Sequence, residues 1–264
     1  FENEVDYNLS ESGVHPLKIS EILSSEEQNQ ILDKELYYGY TNGTPELRQR
    51  VLDIYDQNLS LDNVLITSGS AEANFLSVMT QLNAGDEIVY MVPNYLQIFH
   101  LARSLGIKVK TLPIRQELGW QWDPDELKKL VSSKTKMIVV CNPNNPTGAI
   151  MHDEIMDLVI TIAEENDCWI LSDEVYRGAE LKGEECRSFA FSTEKTIVNA
   201  GLSKAYSLPG LRIGWTVGSK TYINRAWSFH DFTVINVSYL SDWIASKILE
   251  CGRRKKILNR TKDH

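Results

Sequence analysis

Met137-Ile138-Val139-Val140-Cys141, followed by Asn142-Pro143-Asn144-Asn145-Pro146-Thr147-Gly148, decides the fold class. Five consecutive apolar residues without alternation suit a strand covered on both faces, and the Asn/Pro/Gly loop ends it rigidly. Working outward, the same kind of unit recurs. Asn63-Val64-Leu65-Ile66-Thr67, Glu87 to Val92, Ile107 to Leu112, Cys168 to Leu171 and Thr196 to Val198 also read as strands. Segments of helical period lie between them. One carries Ala71, Phe75, Val78, Met79 and Leu82 and stops at Gly85; others run from about Tyr95 to Leu105 and from Pro124 to Val131; a fourth carries Ile155, Leu158, Val159, Ile162 and Ala163. Strands apolar on both faces and separated by helices predict an α/β class with a largely parallel, doubly covered sheet. Upstream, Thr44-Pro45-Glu46-Leu47 opens a helix, with Thr44 as cap, Pro45 at the first position and Leu47, Val51 and Ile54 as its apolar stripe. Residues 1–35 are polar, hold no strong strand, and read as an arm or a piece of a second domain.

The chain has 264 residues, which predicts one or two domains at roughly 150 residues each. Acidic residues exceed basic ones by nine, 36 against 27, which argues against a nucleic-acid partner. No apolar run approaches the roughly 18 residues that span a bilayer, and no leader-like N-terminus is visible, so no membrane association is expected. The basic cluster Arg253-Arg254-Lys255-Lys256 reads as the solvated face of a terminal helix. Cys141, Cys168, Cys186 and Cys251 show no CxxC spacing; no metal is expected, and a reducing, cytoplasmic setting fits.

Sheets of this class bind ligands at the carboxyl ends of their strands. Thr67-Ser68-Gly69-Ser70-Ala71 is a small-residue turn opening a helix, whose N–H groups suit a phosphate; turn geometry alone also explains such residues. The Asn-Pro loop presents asparagine side chains. Leu171-Ser172-Asp173-Glu174-Val175-Tyr176 places two carboxylates and a phenol after a buried strand, suited to a metal, an acid/base pair or a cationic ring. Asp173 is expected to face the site and Glu174 the solvent. In Ala200 to Trp215, Lys204 stands among small and apolar residues with Arg212 eight positions on. Most lysines are surface residues, but a confined one can form a Schiff base.

A phosphate cradle, an Asp for a ring nitrogen, hydrogen-bonding Asn and Tyr, and a Schiff-base lysine are what pyridoxal phosphate (PLP) requires. NPNNPTG at 142–148, SDEVY at 172–176 and SKAYSLPGLRIGW at 203–215 stand in the order of the class I/II aminotransferases. From about residue 8 onward the chain resembles that group, the aspartate aminotransferase-like enzymes of PLP fold type I. The resemblance implies a three-layer αβα large domain at 36–234 with a mostly parallel seven-stranded sheet. It implies an N-terminal arm or part of a small domain at 1–35. Residues 235–264 would form an interdomain helix and the start of a smaller α+β domain that is cut off.

The resemblance also implies roles. Lys204 matches the Schiff-base lysine that shuttles the substrate proton, and Asp173 the carboxylate that keeps the pyridine nitrogen protonated. Asn145 and Tyr176 match the residues bonded to the ring's phenolate oxygen; Tyr95 matches the stacking aromatic, and Val175 packs on the other face. Ser70, Ala71, Ser203 and Arg212 match phosphate ligands. Tyr38 matches a tyrosine that reaches the neighbouring subunit's phosphate, so a homodimer is implied. Gly13 and Asn145 are expected near the substrate. The implied activity is transamination between an amino acid and a 2-oxo acid. Three departures stand out: Gly201 replaces a hydroxyl residue three before the lysine, Tyr40 replaces a common proline, and no residue matches the family's carboxylate-binding arginine. Two alternatives accompany this expectation. His230-Asp231-Phe232-Thr233 and Ser241-Asp242 resemble a capreomycidine synthase-like branch that cyclises or eliminates on a modified arginine, or else belong to a plain linking helix. The other alternative is that a shortened chain is a non-catalytic PLP-binding remnant.

Overall fold

The sheet alternates its side chains between two separate apolar layers, and that alternation organises the molecule. The computed structural model describes residues 6, 11–55 and 59–264. Where the N-terminal sequence shows only polarity, two short helices form, α1 (Ile19–Ile22) and α2 (Ser25–Leu32). In α2 the Ser24 hydroxyl accepts from Glu27 N–H, and Glu27 accepts from Ser24 N–H. Helix α3 (Pro45–Leu52) starts as its sequence predicts, with Thr44 capping the Leu47 N–H and Pro45 in the first turn. Then come β1 (Val64–Thr67), α4 (Ser70–Gln81), β2 (Glu87–Val92), α5 (Gln97–Ser104), β3 (Lys108–Pro113), α6 (Pro124–Leu130), β4 (Thr135–Cys141), α7 (Asp153–Glu165) and β5 (Trp169–Asp173). The chain continues through β6 (Thr196–Gly201), β7 (Gly214–Val217), α8 (Lys220–His230), α9 (Tyr239–Ile248) and α10 (Cys251–Asp263).

The seven strands form one sheet in the order β1-β7-β6-β5-β4-β2-β3. All adjacent pairs are parallel except those of β7, which runs antiparallel to both β1 and β6. In β4, Met137 and Val139 join one layer while Ile138 and Val140 join the other, so the apolar run reports coverage on both faces. The first layer packs Leu76 of α4, Ile98 of α5 and Tyr222 and Ile223 of α8; the second takes Leu47, Met156, Val159, Ile244 and Ile257 from α3, α7, α9 and α10. Each such side chain contributes about 1.5–3 kcal/mol on full burial. The expected three-layer α/β architecture is what forms.

Two surface expectations are corrected. In the basic cluster only Lys255 and Lys256 are exposed. Arg254 grips Glu185 with two bonds of 2.6 and 2.7 Å and donates to Tyr206 Oη at 3.0 Å, while Arg253 reaches Glu27 at 2.9 Å. An arginine fork satisfies a carboxylate in two places, which makes partial burial of the pair tolerable. Glu174 is not solvated: it is 2% exposed and accepts from Phe189 N–H at 2.9 Å and from the Ser172 hydroxyl at 3.1 Å. Burial pushes its pKa up. Helix α9 is tied to α3 through buried Asp242, which accepts from Thr44 N–H at 3.0 Å and from the Thr44 hydroxyl at 2.5 Å.

Candidate active site

The carboxyl edge of the sheet opens into a cavity of about 380 Å³. Ser70 and Ala71 follow β1, Tyr95 follows β2, Asn145 follows β4, Asp173 ends β5, and Ser203 and Lys204 follow β6; all line it, as do Val175, Tyr176, Arg212 and Gly13. Because β7 is antiparallel, the chain leaves β6 and enters β7 at the same edge, and Gly201 pairs with Gly214. The intervening segment folds back on itself, with Leu202 N–H on Ile213 O at 3.0 Å and Leu208 N–H on Leu202 O at 2.9 Å. That brings Lys204 and Arg212 to one wall.

Asp173 is 7% exposed. Burial raises its pKa, opposed by hydrogen bonds from Asn74 and from the Val175 N–H. Asn74 Nδ2 lies 3.1 Å from Asp173 Oδ2, and Asn199 Nδ2 in turn donates to Asn74 Oδ1 at 2.9 Å and to Ser77 Oγ at 2.9 Å. The carboxylate is therefore oriented by a buried amide relay. Tyr176 Oη sits 2.7 Å from Ser12 Oγ, and burial pushes the phenol up to about 12. Of the three loop asparagines, Asn142 and Asn144 are buried and hold the scaffold, on Met151 N–H and Pro93 O respectively; Asn145 is the one on the cavity.

Lys204 Nζ is 2.8 Å from Glu11 Oε1. The hydrogen bond and charge of Lys204 hold the Glu11 carboxyl below its ordinary range. Arg212 has a left-handed backbone, φ +52°, and its guanidinium lies against the turn after β1. A Cβ at Gly69, itself at φ +77°, would come 2.4 Å from an Arg212 nitrogen. At Gly214 a Cβ would stand 2.4 Å from Ser70 N. Two bare backbones and a guanidinium thus converge on the turn, leaving N–H groups and a positive charge facing one spot, the requirement for an anion. Gly201 is close-packed too: a Cβ there would stand 3.0 Å from Ile213 O, so no hydroxyl is supplied from that side.

Tyr38 is the one expected site residue that stands away from the cavity, 77% exposed. His230 is also remote from it: fully buried, it faces Glu72 at 3.0 Å. Sequence reasoning missed Glu11, Asn74 and Asn199. Asn74 had a signal, since it lies one helical turn beyond Ser70 and Ala71. Glu11 had none, because its partner is 193 positions away.

The sequence model of the family "Aminotransferase class I and II" matches residues 7–256. The chain belongs to that family. Aspartate aminotransferase of Pyrococcus horikoshii is 32% identical over 76% of this chain and 53% of its own length. Aspartate/prephenate aminotransferase of Thermus thermophilus is 29% identical, over 80% of this chain and 56% of its own. A PLP-dependent aminotransferase from Streptococcus suis superposes with a TM-score of 0.87 at 30% identity, covering 98% of this chain and 70% of that one. This class I/II family member spans about half the length of the curated relatives it matches. No helix among its described residues is long and apolar enough to cross a membrane.

Proposed function

We propose that this class I/II chain carries the cofactor-binding part of a PLP-dependent aminotransferase that moves an amino group between an amino acid and a 2-oxo acid. The observation that carries the proposal is the convergence, on one cavity, of a buried carboxylate, a lysine amine and an anion-shaped turn facing an arginine. The residues fit the cofactor chemically: the space kept free at Gly69 and Gly214 suits a phosphate, and Asp173, whose charge is disfavoured by burial, suits a cationic ring nitrogen.

When bound, PLP supplies an aldehyde that condenses with amines and a ring that withdraws electrons from the carbon bearing the amine. Asp173 would hold the proton on the ring nitrogen, with Asn74 fixing the orientation of its carboxylate. Asn145 and Tyr176 would donate to the ring oxygen, Tyr95 and Val175 would flank the ring, and Ser70, Ala71, Ser203 and Arg212 would hold the phosphate. Lys204 Nζ supplies the amine and carries the substrate proton. Gly13, which lines the cavity and donates its N–H to Glu11 Oε1 at 3.1 Å, would stand near the substrate. A homodimer belongs to the proposal, supported by the exposure of Tyr38 away from its own cavity, as does a reducing, cytoplasmic setting, supported by four free cysteines.

The test is capture of PLP followed by borohydride and intact-mass measurement. Wild type gains one reduced adduct at Lys204; Lys204→Ala gains none. An equal adduct in the variant refutes the assignment.

A further inference from the structure

Of the motif His230-Asp231-Phe232-Thr233, unused by the proposed reaction, His230 and Thr233 meet at Glu72, next in sequence to the cavity residue Ala71. Glu72 lies in the first turn of α4 yet is buried, one residue beyond Ala71. Its Oε2 accepts from the Ser68 N–H at 2.6 Å. Its Oε1 accepts from the Thr233 hydroxyl and stands 3.0 Å from His230 Nδ1, on an imidazole with no exposure at all. Burial pushes the Glu72 carboxyl up, but the bonds from His230, Thr233 and Ser68 outweigh it, and its pKa is lowered. The helix dipole alone favours a first-turn glutamate but does not call for these three specific partners.

We infer that Glu72, braced by His230 and Thr233, is a positioning residue that fixes the turn Ser68–Ala71 against Arg212. The inference rests on the proposal that this turn holds the phosphate of PLP. The mechanics are short-range. Glu72 grips the residue immediately before Gly69, and Gly69 lies so close to the Arg212 guanidinium that a displaced Ser68 changes the gap between the turn's N–H groups and that charge. The far end of the brace is rooted in α8, whose last residue is His230 and whose Tyr222 and Ile223 are core residues.

The experiment compares equilibrium binding of PLP and of pyridoxal, which lacks the phosphate, to the PLP-loaded and then stripped chain, by absorbance. Glu72→Gln keeps the shape and loses the charge; PLP affinity should fall about tenfold or more, with pyridoxal changed less than about twofold. Thr233→Val should lower PLP affinity about threefold, and Thr233→Ser, which restores the hydroxyl, should restore it. If Glu72→Gln does not fold, the Thr233→Val and Thr233→Ser pair decides by the same ratio. Equal loss of PLP and pyridoxal would make the role merely structural and overturn the inference, as would no change. Tighter PLP binding would also overturn it, showing that the phosphate feels the Glu72 charge rather than its hold on the turn. A wild type that captures PLP on Lys204 but binds pyridoxal equally well removes the phosphate role of the turn; one that captures neither removes the PLP proposal itself.

Discussion

Asn74→Ala cuts the relay that orients Asp173, and its cost can be worked out bond by bond. The bond from Asn74 Nδ2 to Asp173 Oδ2 is 3.1 Å long and has a carboxylate as acceptor; such bonds contribute about 1.5–3 kcal/mol. The bond from Asn199 to Asn74 Oδ1 is neutral, about 0.5–1.5 kcal/mol, and Asn199 keeps Ser77 Oγ at 2.9 Å. Asp173 keeps the Val175 N–H at 3.2 Å. With these survivors the loss should be about 2–3 kcal/mol, a large part of a total of about 5–15 kcal/mol. Its pH dependence has a definite sign. Burial raises the Asp173 pKa above its unfolded value, so the folded state is penalised as pH rises through that pKa and relieved as pH falls through it. Asn74 is one of the groups that lower it, so the variant loses most where Asp173 is charged. Urea unfolding followed by tryptophan fluorescence across a pH series should show the deficit of the variant shrinking toward acid, as Asp173 takes up its proton. A maximum deficit below about 0.5 kcal/mol, or one that does not shrink anywhere toward acid, would refute the relay.

Three more outcomes are expected. Gly214→Ala forces a methyl to within 2.4 Å of the backbone at both Gly69 and Ser70, so thermal unfolding should report a loss of about 2–3 kcal/mol, and PLP binding should weaken with it. Arg254→Lys replaces a fork on Glu185 by a point charge; urea unfolding should show a loss of about 1–2 kcal/mol at neutral pH, fading as pH falls through the Glu185 pKa, which the hydrogen bond and charge of Arg254 hold low against burial. Glu11→Gln frees the Lys204 amine from a partly exposed ion pair, and stopped-flow absorbance should show PLP capture about two- to fivefold faster.

What the sequence discloses and what it withholds divide along range. The strands of the sheet interior are legible because coverage on both faces removes alternation, as in Met137 to Cys141. The Thr44 cap and Pro45 are legible because helix starts are local chemistry. Strand β7 does not stand out: Gly214-Trp215-Thr216-Val217 is short and opens on a glycine that only the approach of Ser70 explains. Helix α2 is hidden by the polarity of its segment, although Ser24 and Glu27 carry the spacing of a capping box. The cavity residues follow from their place after each strand, but their supports do not. Asn74, Asn199 and Glu11 act through partners far away in sequence. Glu174 and Arg254 read as surface groups because burial by distant segments leaves no mark on the residues beside them.

The antiparallel entry of β7 sets how freely the chain can vary in length. Parallel neighbours are joined by crossovers whose returning loops lie at the opposite edge, where residues can be added without touching the cavity. Leu202 to Ile213 is different: both its ends are pinned on adjacent strands at the cavity edge, by the Gly201–Gly214 pairing and the Leu202–Ile213 bond. Lys204 and Arg212 are therefore two points on one closed loop. A single inserted residue would swing amine and guanidinium together, so this stretch should reject insertions and deletions that the connections at the sheet's opposite edge accept.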